Sequence, residues 1–406
     1  MLRLDMKTRK VLVDKLMARY RRSGKKAKGK LLDEYIALTG YNRCYARRVL
    51  RNGHKKSSEP CRGPGRKKKY GPGVVAALKK IWGILNFLCG KRLVAAMPDM
   101  LVSLERSGEI RLDPKDRQNL CRVSPATADR LLAHERKRLQ IKGRSGTKPG
   151  SLLKNKIPIR TFADWDNVKP GFLQIDTVGH EGGNSRGDFC QTLDMTDVAT
   201  GWTELMAVKN KAQVWVFEAL TKIRRRLPFP LLGINSDSGG EFINEHLLKY
   251  CQSNAISFTR SRANKKNDNC YVEQKNYTAV RQTVGYYRYD TDQEMEILND
   301  LYALQRLYAN FFLPQMKLLE KIREGSKVKK TYDKPKTPYQ RVLASRYINA
   351  QDKQMLRTQY ATLNPAKLRR NMLVLQERLY KLAGSKHDLW VAKTTARENL
   401  DHAIAV

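Results

Sequence analysis

The chain has 406 residues, of which 41% are hydrophobic and 29% charged, so its length and composition allow about two to four domains with packed cores. Lysine and arginine number 79 against 39 acidic residues; the formal net charge of +40 indicates a polyanionic partner. We expect neither a signal peptide nor a membrane span, because no run of about eighteen apolar residues occurs. Nucleic acid is therefore the favoured partner. Seven scattered cysteines without a CxxC pair favour a reducing compartment.

The basic charge is concentrated at the amino-terminal end. Residues 1–70 carry 23 lysines and arginines and 5 acidic residues, whereas residues 160–285 carry 16 and 14. This division is typical of a protein whose flanking regions bind phosphates while its centre collects carboxylates.

Three helices are predicted at the amino-terminal end, over residues 7–22, 31–38 and 42–50. A turn at Gly40 and a cap at Asn42 separate the second helix from the third. The third helix carries Arg43, Arg47 and Arg48, and this arrangement predicts a helix-turn-helix unit that binds DNA. A three-helix bundle with a solvated basic face is the alternative.

The next segment, residues 53–72, is rich in glycine, proline and basic residues and cannot build a core. We predict a flexible basic linker in which Arg66, Lys67 and Lys68 follow a phosphate backbone or enter a minor groove of DNA. A merely solvated tether is the alternative.

Helical periodicity returns over residues 73–142, where Ser124 and Pro125 mark a strong helix start. The helix after this start ends in Arg136-Lys137-Arg138, and we interpret the segment as a second helical or helix-turn-helix domain. A second linker, residues 143–165, follows it.

The central region has the pattern of a mixed five-stranded sheet with flanking helices, followed by a mostly helical carboxyl-terminal region. Strands are predicted over residues 172–178, 188–195, 202–208, 231–236 and 255–259. Helices are predicted over residues 211–226, 243–252 and 292–312. The expected fold class is therefore multidomain, helical at both ends and α/β in the centre.

The predicted domain boundaries place the central region at residues 166–324, after a helix-turn-helix domain at residues 1–52. The last segment, residues 325–406, is expected to start as a basic, extended linker and to continue as helices. Its role stays open between oligomer contact and DNA binding.

Three acidic residues stand where a metal site could form. Asp176 and Asp237 each close a predicted strand, and Glu273 lies at the start of a predicted helix after a polar loop. Mg²⁺ and Mn²⁺ prefer oxygen ligands, and two such ions about 3.5–4 Å apart clamp the attacking and leaving oxygens of a phosphoryl displacement. Accidental triples are also easy to find, because other acidic residues are rival candidates: Asp188, Asp194, Asp197, Glu181 and Glu241.

The same residues carry a resemblance to a known family. Gln174-Ile175-Asp176, the hexapeptide Asp-Ser-Gly-Gly-Glu-Phe that starts at Asp237, and Val272-Glu273 resemble motifs of bacterial insertion-sequence transposases. These enzymes have a retroviral-integrase-type catalytic core, the DDE group on an RNase H-like fold. Between Asp237 and Glu273 lie 35 residues, the spacing of the family's second and third carboxylates.

The resemblance implies an RNase H-like core in which Asp176, Asp237 and Glu273 are the catalytic and metal-binding residues, with two Mg²⁺ or Mn²⁺ ions in the substrate complex. It implies cleavage at transposon ends and joining of the 3′-hydroxyl to target DNA. The implied partners are terminal inverted repeats and target DNA, bound by a homo-oligomer in the bacterial cytoplasm at the nucleoid. The alternatives are a catalytically silent DNA-binding protein derived from a transposase and an RNase H-like nuclease.

The sequence departs from many integrase cores one turn after Glu273, where Tyr277 takes the place of a basic residue. We therefore expect contacts to the DNA end from other nearby residues: Lys265, Lys266, Lys275, Asn276 and Arg281. His180 is a candidate auxiliary residue that orients water or phosphate near Asp176, and a loop hydrogen bond is the simpler interpretation of it.

Overall fold

The computed structural model describes residues 6–53, 69–139, 169–183, 185–236, 241–242, 245–260 and 270–383. The chain divides into two compact units, Met1–Lys69 and Tyr70–Val406, and each is considered by itself. No helix within the described ranges is long and apolar enough to cross a membrane.

The first unit is a bundle of three helices: α1 (Met6–Arg22), α2 (Lys25–Thr39) and α3 (Arg43–Asn52). Their apolar faces share one core, in which Tyr35 and Leu50 are fully buried. Gly40 ends α2 with a positive φ of 68°, and the Asn42 side chain accepts a hydrogen bond from the Tyr45 amide, as its capping role predicts. The predicted helices are thus present, and their DNA-reading role stays a prediction.

The second unit begins with five helices: α4 (Pro72–Ile84), α5 (Gly90–Arg106), α6 (Pro114–Cys121), α7 (Pro125–Leu131) and α8 (Ala133–Arg138). Ser124 caps α7 through the Thr127 amide, and Pro125 occupies its first turn, as predicted. The buried residues of these helices belong to the same hydrophobic core as those of the sheet. The Tyr308 hydroxyl donates to the Ile84 carbonyl at 2.6 Å across that core.

A mixed five-stranded sheet follows, as predicted. Its strands are β1 (Phe172–Gly179), β2 (Gln191–Asp197), β3 (Thr203–Val208), β4 (Gly233–Ser236) and β5 (Ser257–Arg260). In space the order is β3-β2-β1-β4-β5; the first three strands are antiparallel and β1, β4 and β5 are parallel. This mixed sheet, with the helices that flank it, is consistent with an RNase H-like core.

Helices accompany the sheet in the order α9 (Gln213–Arg224), α10 (Glu245–Ser253), α11 (Cys270–Lys275), the π-helix Asn276–Arg281, α12 (Gln282–Val284) and α13 (Asp292–Phe312). Helix α13 has the bounds that its periodicity predicts and begins with a reciprocal cap between Thr291 and Glu294. It packs along β3, where Asn310 bonds both the amide and the carbonyl of Thr203.

The carboxyl-terminal part contains a two-stranded hairpin, β6 (Leu318–Glu324) and β7 (Lys327–Tyr332), and three helices, α14 (Pro338–Ala344), α15 (Ala350–Thr362) and α16 (Pro365–Ala383). The expectation of an extended linker from residue 325 is wrong over β7. The two-residue turn begins with Gly325 at a φ of 57°, which lets the basic segment fold back on β6. The helices after it were predicted.

Candidate active site

The candidate site lies on β1, where Asp176 follows the buried Ile175; the strand does not close at Asp176, as the sequence predicts, but continues to Gly179. Asp176 is half-buried, and its two carboxylate oxygens have different partners. Oδ1 accepts the Thr177 amide at 2.8 Å, and Oδ2 accepts the side-chain amide of Asn276 at 2.6 Å. Two directional contacts therefore fix the orientation of this carboxylate.

The helix that carries Glu273 is attached to the same strand. Gln174, which is 1% exposed on β1, accepts hydrogen bonds from the first amides of α11 through its side-chain oxygen, from Tyr271 at 3.0 Å and Val272 at 3.2 Å. These amides have no partner within the helix, so Gln174 serves as a cap supplied from a distant part of the chain. Glu273 is exposed and follows this anchor directly.

The π-helix Asn276–Arg281 explains how the rest of this segment stays on β1. Asn276 reaches Asp176, and the Arg281 guanidinium donates to the Gly179 carbonyl at 2.7 Å. The wider turn of a π-helix, with hydrogen bonds between residues five apart, brings Asn276 and Arg281 closer to one face than an α-helix would. Asn276 lies one turn after Glu273, so the strand with Asp176 and the helix with Glu273 meet at this point.

The second predicted carboxylate, Asp237, lies outside the described residues. Ser236 is the last residue of β4, which pairs in parallel with β1 in the register that sets Asn235 opposite Gln174. Asp237 is the next residue in the sequence.

Glu241, a rival candidate in the same motif, comes close to the end of β1. Its carboxylate accepts a hydrogen bond from the Thr177 hydroxyl at 3.0 Å and lies 3.5 Å from the Lys211 ammonium. Only 11% of its side chain is exposed, so this acidic group is held against the neighbour of Asp176. Glu241 is thus tied to the side chain of Thr177, the residue that follows Asp176.

A second carboxylic acid, Asp194 on β2, is the cross-strand partner of Asp176, so the two side chains lie on the same face of the sheet. Asp194 is fully buried; Oδ1 accepts from the Thr196 hydroxyl at 3.0 Å, and Oδ2 has no hydrogen-bond partner among the described residues. Burial raises the pKa of Asp194 well above its usual range, which favours the neutral acid. Burial lowers the pKa of the nearby Lys275 ammonium, and the Asp194 carboxylate opposes that fall.

The residues at this point suit a hard divalent cation. The carboxylates of Asp176 and Glu273 are oxygen ligands, and Asn276 Oδ1 is a buried acceptor without a partner within the described ranges. No group of three or more histidine, cysteine, aspartate or glutamate side chains forms a metal cluster in the described part of the chain, from which Asp237 is missing. The described groups at this point are oxygen donors of the type that a hard divalent cation takes.

The predicted DNA-contact residues have different surroundings. On α3, Arg43 forms an ion pair with Asp33, and the Arg48 guanidinium lies 5.1 Å from the Tyr45 ring centre. Arg47 lines a cavity of about 560 Å³ together with other basic residues. The remaining basic candidates outside the site lie outside the described residues: Arg66, Lys67, Lys68, Lys265 and Lys266.

Three predicted contacts near Glu273 are engaged within the protein. Lys275 is enclosed on the side of Asp194, the Asn276 amide is used by Asp176, and Arg281 bonds the backbone of Gly179. Lys275 and Arg281 are half-buried, and their contact with the DNA end stays a prediction. The signal that sequence reasoning missed is Gln174, whose motif position was noted without its capping role.

His180 also requires a correction. It is 0% exposed, and its Nε2 lies 2.7 Å from the Thr192 hydroxyl, which in turn contacts the Tyr302 hydroxyl at 2.7 Å. Burial lowers the pKa of His180 to about 3, so the ring is neutral near pH 7. A buried neutral ring of this kind does not orient water or phosphate at the site.

These observations attach the helix of Glu273 to Asp176 and Gln174 on the central strand of the sheet, and sequence comparison gives the family. The uncharacterized protein y4rM of Sinorhizobium fredii is 41% identical to this chain over 343 residues, which cover 84% of this chain and 96% of that protein. The chain therefore belongs to the same family as y4rM. No model of a known protein family matches the sequence.

Solved structures with partial similarity are retroviral. The chain is 17% identical to a chain of a simian T-cell lymphotropic virus intasome, with a TM-score of 0.30; the match covers 43% of this chain and about half, 54%, of that one. It is 14% identical to the BIV integrase catalytic core, with a TM-score of 0.29, over 43% of this chain and 95% of that one. It is 15% identical to the HTLV-2 integrase catalytic core in complex with magnesium, with a TM-score of 0.29, over 37% of this chain and 92% of that one. Such scores are too low to define a fold, which stands on the strand order and pairing of this chain.

Proposed function

We propose that this protein is a DNA transposase that cuts transposon ends and joins the 3′-hydroxyl to target DNA, with Mg²⁺ or Mn²⁺ held by Asp176, Asp237 and Glu273. The observation that supports it most is the double attachment of one helix to one strand. Gln174 caps the helix of Glu273 and Asn276 donates to Asp176, so this helix and the strand of Asp176 are joined at two points.

The residues of the chain have distinct roles in this proposal. The carboxylates bind cations that would activate the attacking oxygen and stabilise the leaving oxygen of the phosphodiester. Asn276 holds the Asp176 carboxylate in one orientation, and its buried Oδ1 offers a further oxygen to the site. Burial raises the pKa of Asp194, the cross-strand neighbour of Asp176, and so disfavours a second negative charge beside Asp176.

The overall charge fits a DNA substrate. A net charge of +40 supplies many contacts to phosphates, while the carboxylates supply chemistry and little affinity. A neutral change at a carboxylate should therefore separate catalysis from binding. Asp176→Asn, Asp237→Asn and Glu273→Gln are expected to abolish strand joining and to leave DNA affinity close to that of the unchanged protein.

The test uses labelled duplex DNA from the flanks of the gene, incubated with the full chain and Mg²⁺. Joined products support the proposal; cut ends without joining indicate a nuclease, and a bound but intact duplex indicates a silent DNA-binding protein. Asp188→Asn is the matched control, because Asp188 is an exposed acidic residue and a rival from the sequence. Loss of joining in this control, or retained joining in Asp176→Asn, would refute the assignment.

A graded prediction concerns Asn276. Asn276→Ala removes the donor to Asp176 and should lower the joining rate about 10–100-fold, the usual effect of losing a partner that orients a metal ligand. Thr278→Ala on the same π-helix is the control, because the Thr278 hydroxyl bonds only the Gln274 carbonyl. Equal rates for the two variants would show that Asp176 needs no such orientation.

A further inference from the structure

The hairpin Leu318–Tyr332, here called the ribbon, is exposed along its length. Every residue of β7 is exposed, and Leu319 on β6 is 67% exposed. A single two-stranded hairpin is marginally stable in water, so apolar side chains on its faces need a partner to cover them.

The base of the ribbon is fixed to the rest of the second unit. Lys317 and Asp333 exchange backbone and side-chain hydrogen bonds directly below the two strands, and Arg341 forms an ion pair with Asp333 at 2.7 Å. The Lys317 ammonium donates to the Ala199 carbonyl at 2.9 Å, close to the end of β2. The ribbon therefore projects from a rigid base.

The charge of the ribbon favours an anionic partner. Between Leu318 and Tyr332 five residues are basic and two acidic, and the register sets Lys330 opposite Lys321. Lys327, Lys329 and Lys330 are exposed, and none of them forms an ion pair with a described residue. Unpaired ammonium groups of this kind are available for phosphates.

The shape of the ribbon matches the same partner. The major groove of B-form DNA admits a two-stranded β-ribbon, and strands are used as reading elements in several DNA-binding proteins. In such a position, lysines along one strand reach phosphates while apolar side chains such as Val328 contact sugars and bases.

We propose that the ribbon binds duplex DNA by entering a groove, with Lys327, Lys329 and Lys330 on the phosphates. This inference rests on the proposed function for the identity of the substrate, and it assigns a DNA-contact element outside the carboxylate site. Lysines on exposed strands also discourage pairing between copies of a protein. That role would leave the salt dependence of DNA binding unchanged.

The experiment measures the affinity of the full chain for a duplex of arbitrary sequence, without Mg²⁺, from about 50 to 200 mM salt. The triple variant Lys327→Ala, Lys329→Ala, Lys330→Ala should reduce the slope of log affinity against log salt by about 3, because each phosphate contact contributes about 0.9. The charge-matched control changes three exposed helical lysines to alanine: Lys222, Lys367 and Lys381. The control should reduce the slope by less than about 1.

An unchanged slope in the ribbon variant, or an equal fall in the control, overturns the inference. A second contrary result would be that Leu319→Asp lowers the oligomer mass while the triple lysine variant keeps the slope of the unchanged protein. The ribbon would then contact a second copy of the chain instead of DNA. Thermal unfolding of each variant checks that the fold is kept. If the slope falls as expected while the unchanged protein joins no DNA ends, the ribbon assignment stands and the proposed transposase activity fails.

Discussion

Strand β2 carries two buried acids, Asp194 at its centre and Asp197 at its end, and their surroundings differ. Asp194 and Asp197 are three residues apart, and both are 0% exposed. Asp197 accepts three hydrogen bonds, from the Gly171 amide at 2.8 Å and from the amide and hydroxyl of Thr200 at 2.7 and 2.6 Å. Asp194 accepts one, from Thr196, and its other oxygen has no partner among the described residues.

The pKa values follow from this difference. Burial raises the pKa of both acids, to about 6 for Asp197, where its donors oppose the shift, and more strongly for Asp194. Two acids that are equally buried therefore differ in how fully their oxygens are hydrogen-bonded, and so in their structural role. Asp197 closes a turn and holds Gly171 at the start of β1, whereas Asp194 is an incompletely satisfied acid beside the candidate catalytic residue Asp176.

The largest expected effect is on stability at the Asp197 end. Asp197→Ala leaves two amides and one hydroxyl without an acceptor inside the protein, and each such group costs about 1–3 kcal/mol. We expect the free energy of unfolding to fall by about 3–5 kcal/mol, measured by urea denaturation. Asp197→Asn keeps one acceptor oxygen and should lose less. Equal stability of Asp197→Ala and the unchanged protein would break the comparison.

A smaller, pH-dependent effect is expected from His180, which contacts Thr192 on β2. Its pKa in the folded state is about 3, below the ordinary value of 6.5, so only the unfolded chain takes up a proton between these values. The stability that His180 contributes is present above pH 6.5 and is lost as the pH falls, by about 1.4 kcal/mol per pH unit. His180→Phe should remove this loss.

The measurement compares urea unfolding of the two proteins at pH 7 and pH 5. The unchanged protein should lose about 2 kcal/mol more than His180→Phe over this interval. Parallel losses in both proteins would show that the ring does not stay neutral.

The smallest effect on stability is expected from Asp194→Ala. The substitution removes an acid whose charged form is penalised by burial, and the Thr196 hydroxyl keeps the Thr203 hydroxyl at 3.1 Å as a partner. The free energy of unfolding should therefore fall by less than in Asp197→Ala, because one hydrogen bond rather than three loses its acceptor, although the nearby Lys275 ammonium loses the group that raises its pKa. If Asp194→Ala lowered the free energy of unfolding as much as Asp197→Ala, both acids of β2 would be structural supports of the fold.

Local signals in the sequence predicted much of the fold. The periodicity of residues 292–312 predicts α13, and Asn42 and Ser124 each cap the predicted helix, because caps act within a few residues. Asp197, one of the rival acidic candidates, accepts hydrogen bonds from the amide and hydroxyl of Thr200 and so closes a turn.

What sequence reasoning missed depends on contacts between distant residues. The cap that Gln174 supplies to α11 joins positions 97 and 98 residues apart, and no local pattern predicts it. The π-helix follows from two tertiary contacts, at Asn276 and Arg281. The burial of His180 likewise results from packing between β1, β2 and α13, so its neighbours in the sequence gave a misleading indication.

The shared core of the second unit has a practical consequence. Besides the bond between Tyr308 and Ile84, the Arg92 guanidinium donates to the Pro314 carbonyl at 2.5 Å, and Glu109 pairs with Arg370 at 2.6 Å. The helices before the sheet therefore cover the long helices after it. A fragment trimmed to begin at β1 would expose a broad apolar surface and aggregate, so assays of the proposed activity require the helices that precede the sheet.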